Sequence, residues 1–233
     1  MRPQQGVGRM TGSDQTGIDW REGVPVSKRF EDPYFSIHDG LAETAHVFHA
    51  GNGLPARFRP GFHIAELGFG TGLNLLATAA LWGRAGQAGV LRFTSFEAFP
   101  LSLDDMTKAL AHFPALADLT DAFLSQWAAG AREIALPGVQ AQILIGDARE
   151  TLAQWSGRAD AWFLDGFSPA KNPELWTDAI LAEVAAHTAP CGTFATYTAA
   201  GHVRRALQAA GFQVSRLPGH AHKRHMSAGV LTR

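Results

Sequence analysis

An acid, Glu66, and three alternating glycines, Gly68, Gly70 and Gly72, close the run FHIAELGFGTG. Glycines spaced this closely let a chain turn tightly and let its backbone approach a ligand with no Cβ in the way. A dinucleotide fingerprint requires Gly or Ala three residues after its second glycine, but Leu73 stands there. Three more acids follow short apolar runs. Glu97 ends LRFTSFE, where a carboxylate can accept hydrogen bonds from both hydroxyls of a ribose; otherwise it is an ordinary strand-end acid. Asp147 follows ILIG, where it can meet an adenine amino group, cap the helix that starts at Ala148, or do both. Asp165 opens DGFSPAKNPELW. There Gly166 and Pro169 make a rigid turn, and Phe167 and Trp176 could wall an acceptor pocket, unless the stretch is only a turn aspartate beside a buried tryptophan.

The G-x-G-x-G spacing behind an acid resembles the cofactor loop of Rossmann-like S-adenosylmethionine-dependent methyltransferases, which cradles an amino acid and a ribose. That resemblance implies cofactor contacts from Glu66, Gly68, Phe69, Gly70, Gly72, Asn74, Glu97, Asp147 and Ala148, with Asp165 facing the transferred methyl. An ordinary aspartate, with a pKa near 3.9, is a poor proton acceptor. Asp165 is therefore expected to orient the acceptor and stabilise the charge that develops on it, while water takes the proton. Tyr34 and Phe35 either stack an extruded base or belong to the core.

These residues need a scaffold, and from about Phe62 β-rich runs alternate with helical stretches, the signature of βα units around a mostly parallel sheet. Strands are expected at Phe62–Leu67, Leu91–Glu97, Gln140–Ile145, Ala161–Leu164, Gly192–Tyr197, Phe212–Arg216 and Ala228–Leu231, the last of them antiparallel. Helices fall at Leu73–Trp82, Leu103–His112, Leu116–Gln126, Ala148–Trp155, Pro173–His187 and His202–Ala210, with Asn172 capping the fifth. The fold class is α/β: a Rossmann-like methyltransferase with a seven-stranded sheet and helices on both faces. Residues 1–17 read as a disordered leader, 18–61 as a cap over the carboxyl ends of the strands, and 62–233 as the methyltransferase domain.

The 233 residues carry a formal charge of −1 and a single cysteine, Cys191. No disulfide or zinc knuckle is possible within one such chain, which suits a reducing compartment. No signal-like or membrane-spanning run appears, so a cytoplasmic protein is expected. After Glu183 there is no further acid, whereas Arg204, Arg205, Arg216, Lys223, Arg224 and Arg233 follow. Such a basic third either faces phosphates or is a solvated edge. His220, His222 and His225 have no carboxylate beside them in sequence, and no metal is expected.

Longer motifs narrow the reading. PVSKRFEDPYFS, VFHAGNGL, ELGFGTGLN, SFEAFPLSL, DGFSPAKNPELW, TYTAAGHVRRALQAAGF and KRHM occur in that order over nearly the whole chain. The set resembles the methyltransferase half of bacterial bifunctional tRNA 5-methylaminomethyl-2-thiouridine biosynthesis proteins. The resemblance implies N-methylation of the 5-aminomethyl group on the wobble (2-thio)uridine, with the tRNA anticodon loop as partner. Phe167, Lys171, Arg204, Lys223 and Arg224 are expected on the RNA side. No second Gly-rich loop is present, so FAD is not expected and a separate enzyme is expected to supply the aminomethyl substrate. A small-molecule methyltransferase shares every cofactor feature but lacks a reason for the basic third. A non-catalytic RNA-binding scaffold would have no use for an intact glycine loop.

Overall fold

A computed structural model describes residues 17–36 and 39–232; the expected leader, apart from Gly17, lies outside them. The chain opens with a hairpin, β1 (Ile18–Arg21) and β2 (Val24–Ser27), and a short helix, α1 (Gly40–Glu43), capped by Asp39. A π-helix, Thr44–His49, and a 3-10 turn, Ala50–Asn52, lead on to the main sheet.

The alternating part comprises β3 (His63–Leu67), α2 (Leu73–Arg84), β4 (Leu91–Glu97), α3 (Leu103–Leu110), α4 (Ala117–Ala128), β5 (Glu133–Leu136) and β6 (Val139–Ile145). It continues with α5 (Ala148–Gln154), β7 (Ala159–Leu164), α6 (Asp178–Ala186), β8 (Thr188–Thr196), α7 (Gly201–Ala209), β9 (Phe212–Pro218) and β10 (His225–Leu231). One sheet of eight strands runs in the order β5-β6-β4-β3-β7-β8-β10-β9. Its centre, β6 to β8, is parallel, while β10 inserts antiparallel between β8 and β9. The α/β methyltransferase-like architecture is the one expected, with one strand more than seven. The extra strand, β5, is a short edge strand antiparallel to β6, and its four residues carry too little alternation to stand out in sequence.

Burial follows position in the sheet. Every residue of the central β3 is buried, whereas β6 alternates along most of its length. A strand covered on both faces is buried throughout, so its polar residues need partners inside, as His63 and Glu66 do, whereas one nearer the edge need be apolar on one face only. One core lies between the sheet and α2, α3 and α4, around Leu75, Phe123 and Met106. The other lies against α5, α6 and α7, around Leu152, Leu181 and Leu207.

The expected helix Pro173–His187 is two elements. Pro173–Trp176 forms a 3-10 turn in which Asn172 makes no capping bond, and Thr177 breaks the turn and caps α6 instead. Trp176 explains the break: its indole is buried and donates to the carbonyl of Phe167 at 2.8 Å, which ties the turn to the loop after β7.

Part of the N-terminal segment is core. Val47 and Phe48 are buried, and Phe48 stacks on Phe163 of β7. Asn52 donates to the carbonyls of Phe48 and Trp162. The hairpin is fixed to α3, with the Lys108 ammonium 3.7 Å from the centre of the Trp20 ring.

Candidate active site

Chain order reverses about β3 and β7: the connection from β3 runs to β4 on one side, and that from β7 to β8 on the other. Ligands of open α/β sheets bind at such a switch point, outside the carboxyl ends of the strands. A cavity of about 450 Å³ lies there, lined by the glycine loop, the ends of β4, β6 and β7, and residues from 29–36 and 40–48.

The glycine loop needs its glycines. Gly68, Gly70 and Gly72 have φ of 90°, 55° and 82°, a region that costs other residues strain. A Cβ on Gly68 would stand 2.7 Å from the carbonyl oxygen of Asp165, and one on Gly70 3.2 Å from the Tyr34 ring. Inside the bend the amides of Gly68 and Gly72 donate to the carbonyls of Phe96 and Phe69, each at 3.0 Å. The amides of Gly70 and Phe99 donate to Glu97 Oε2 and Oε1 at 2.9 and 2.7 Å. Burial raises the Glu97 pKa, and backbone donors oppose the rise. Asp147 caps α5 by accepting from the amide of Arg149 at 2.9 Å, while the Arg149 guanidinium holds its carboxyl below the usual range. Ala148 follows on the cavity wall. An open backbone cradle with carboxylates at two edges fits the amino-acid and adenosine parts of S-adenosylmethionine.

Phe69 lines the cavity, whereas Glu66 does not. The Phe69 ring is buried against Trp127 and Phe123, so it anchors the loop in the core while its backbone N–H faces Glu97. Glu66 does not reach the cavity. It is fully buried beneath the loop, with Oε1 accepting from Asn74 at 2.8 Å and Oε2 from Ser95 at 2.6 Å, and burial holds its carboxyl well above the usual range.

Asn74 turns instead toward the reaction end, where its Nδ2 donates to Asp165 Oδ2 at 2.7 Å. The Asp165 amide donates to the carbonyl of Leu67 at 3.0 Å, which seats this residue against the glycine loop. Its carboxyl lines the cavity and is not an ordinary aspartate. Burial, and then the nearby Glu43 carboxylate, push its pKa well up against the opposing pull of Asn74 and Lys223. Across the cavity Lys223 Nζ lies 2.6 Å from Glu43 Oε1 and 4.0 Å from the centre of the Tyr197 ring. The Tyr197 hydroxyl donates to the carbonyl of Gly166 at 2.8 Å. Burial raises its pKa, reinforced by Asp165.

The aromatic wall differs from expectation. Phe167 lines the cavity, stacked on Phe30 at 4.8 Å and edge-on to Tyr34 at 5.0 Å, whereas Trp176 lies behind it. Tyr34 and Phe35 both line the cavity while packing on the core, Phe35 against Phe113. Burial, and then Glu97, raise the Tyr34 pKa. Lys171 is not on the wall, because its ammonium pairs with Asp32, 3.2 Å away, and ties the N-terminal segment to the loop after β7. Arg204 and Arg224 do not reach the cavity either. Residues not anticipated include Arg29, Phe30, Glu43, Thr44, Phe99 and Tyr197. Arg29, Phe30 and Phe99 fall within the motifs PVSKRFEDPYFS and SFEAFPLSL, and Tyr197 ends an expected strand. Among the described residues no group of three His, Cys, Asp or Glu side chains is placed to hold a metal ion.

A family described as S-adenosyl-L-methionine-dependent methyltransferase matches residues 113–232. The chain belongs to this family. The tRNA 5-methylaminomethyl-2-thiouridine biosynthesis bifunctional protein MnmC of Caulobacter vibrioides is 47% identical over 224 residues, which cover 92% of this chain and 38% of that protein. The protein of the same name from Pseudomonas aeruginosa is 47% identical over 225 residues, with 91% and 34% covered. The chain thus spans little more than a third of the length of these curated relatives. The crystal structure of MNMC2 from Aquifex aeolicus superposes with a TM-score of 0.76 at 26% identity, covering 94% of this chain and 72% of that one. As a member of this methyltransferase family, the chain uses S-adenosylmethionine. No helix among the described residues is long and apolar enough to cross a membrane.

Proposed function

We propose that this chain N-methylates the 5-aminomethyl group of the (2-thio)uridine at the wobble position of tRNA, giving 5-methylaminomethyl(-2-thio)uridine. The observation that carries the reading is Asp165: a carboxylate at the end of β7, seated against the glycine loop and held in a pocket that raises its proton affinity. The similarity to MnmC over more than nine-tenths of the chain supplies the substrate class.

When bound, S-adenosylmethionine supplies a methyl group on a positively charged sulfur, which leaves as a neutral thioether. The backbone of Gly68, Gly70 and Gly72 would cradle it, with Glu97 at the ribose and Asp147 and Ala148 near the adenine. Displacement at carbon needs the nucleophile in line, and holding reactants aligned lowers a barrier by roughly 7–11 kcal/mol. Phe167, Tyr34 and Phe30 would hold the uridine, since unstacked RNA bases rest on aromatic faces. The acceptor must present a nitrogen lone pair. An amine as basic as lysine, with a pKa of about 10.4, would cost roughly 4–5 kcal/mol to deprotonate near pH 7. Burial raises the proton affinity of Asp165 above that of an ordinary aspartate, so Asp165 would take the proton from the nitrogen. Lys223 and Arg224 lie on the connection between β9 and β10, and with Arg204 they would meet the phosphates of the anticodon loop. Residues 18–61 would serve as the acceptor-side wall, and a separate enzyme would make the aminomethyl group. A cytoplasmic setting follows from that substrate.

The test is nucleoside mass spectrometry after mixing the protein, S-adenosylmethionine and tRNA bearing the aminomethyl group. A gain of one methyl at the wobble uridine is expected. An unchanged nucleoside, with protein that binds the cofactor, rejects the substrate.

A further inference from the structure

Thr44 opens the six-residue π-helix of the N-terminal segment and is buried. Helices of this type are rare and concentrate at functional sites. Here the wide turn directs a hydroxyl inward, and Thr44 Oγ1 lies 2.8 Å from Asn74 Oδ1. At the other end of the same amide, Nδ2 is 2.8 Å from Glu66 Oε1 and 2.7 Å from Asp165 Oδ2.

The donors and acceptors leave one consistent assignment. A carboxylate only accepts, an amide nitrogen carries two hydrogens, and a hydroxyl can donate one. Both Asn74 hydrogens are therefore used, one on each carboxyl group, and Thr44 donates to the amide oxygen. The flipped amide would set its oxygen against two carboxyl oxygens and its N–H groups against Thr44. Ser95 closes the far end of the chain, 2.6 Å from Glu66 Oε2. Ser95 Oγ donates to that oxygen, and burial holds the Glu66 carboxyl well above the usual range.

We propose that Thr44, acting through Asn74, is a positioning residue for Asp165. Its hydroxyl locks the amide whose N–H holds Oδ2. With Oδ2 held by Asn74, Oδ1 would meet the proton of the acceptor nitrogen. The inference rests on the reading of Asp165 given above and adds a residue that touches neither cofactor nor acceptor nitrogen in that reading. Among the described residues, the ionisable groups facing this carboxyl are Glu43 from α1, Lys223 from the β9–β10 connection, Tyr197 beyond β8, and Glu66 of β3 through Asn74.

The experiment is the pH dependence of methyl transfer to aminomethyl-bearing tRNA at saturating cofactor, for the wild type, Thr44→Val and Thr44→Ser. In Thr44→Val, kcat should fall about tenfold, an effect of the size of leaving the buried Asn74 Oδ1 without its donor. Its acidic limb should move to higher pH, because the amide no longer favours the carboxylate. The KM for S-adenosylmethionine should stay within about twofold, and Thr44→Ser should recover kcat to within about threefold and restore the limb. A wild-type rate and limb in Thr44→Val would overturn the proposal, as would Thr44→Ser as slow as Thr44→Val. Should Thr44→Val not fold, Thr44→Ala set against Thr44→Ser reads the same contrast. Asp165→Asn separates the two layers: full turnover in that variant topples the role of Asp165, whereas a slow Asp165→Asn beside a fast Thr44→Val removes only the relay.

Discussion

On the proposed cofactor side of the cavity, the chain presents its groups from strand ends that follow one another along the sheet. Gly68, Gly70 and Gly72 follow β3, Glu97 ends β4, and Asp147 follows β6. On the acceptor side, the residues around Asp165 come from distant stretches. Glu43 and Thr44 belong to the N-terminal segment, Tyr197 follows β8, and Lys223 lies between β9 and β10. The first side is held largely by backbone: φ values open to glycine, and amides donating to Glu97. The second is held by side chains meeting across the fold: Lys223 with Glu43, Asn74 with Asp165, and Lys171 with Asp32. A cofactor used by many folds of this class can be met by a local turn, whereas a particular acceptor needs a pocket assembled from parts that no short motif contains.

The largest effect expected from breaking one side alone is that of Asp165→Asn. General-base groups contribute about 10²–10⁴-fold, so kcat should drop by that order while calorimetry still finds cofactor binding. A parallel loss of cofactor affinity would mean that the two sides are not separable. The complementary cut is Glu97→Gln. It should weaken S-adenosylmethionine about tenfold or more by removing a charged acceptor, with tRNA affinity by filter binding unchanged.

Titration sharpens the contrast. The folded pKa of Glu66 is raised by burial, so its contribution to stability is complete below the carboxyl pKa of the unfolded chain. It is lost as pH rises toward the raised folded value, because the unfolded chain ionises first. Glu66→Gln should therefore raise Tm by about 2–4 °C near pH 8, corresponding to ~1 kcal/mol, and by little near pH 4. An equal shift at both values would place the cause in packing. Asp165 is raised in the same direction, so the acidic limb of activity should lie above the ordinary carboxylate range.

Smaller effects belong to the outer acceptor side. Arg224→Ala should weaken tRNA binding a few-fold and reduce the slope of log affinity against log salt by about one, if it meets a phosphate. Lys171→Ala removes a partly exposed pair with Asp32 and should cost under ~1 kcal/mol by thermal melting. A large loss of turnover there would show that the acceptor wall depends on that tie.

The sequence by itself determined the alternation of strands and helices, the glycine bend, and the places of Glu97, Asp147 and Asp165. Each of these depends on local backbone chemistry and on which faces of a strand are buried, and both are written in spacing. Tertiary structure alone decided that Glu66 lies beneath the loop, that Phe69 and Trp176 serve the core, and that Lys171 is tied to Asp32. It also brought Thr44, Glu43, Tyr197 and Lys223 to one carboxylate. Contacts between residues far apart in sequence leave no period to read. The same is true of the burial that changes Asp165, because a carboxyl group takes its proton affinity from everything folded around it.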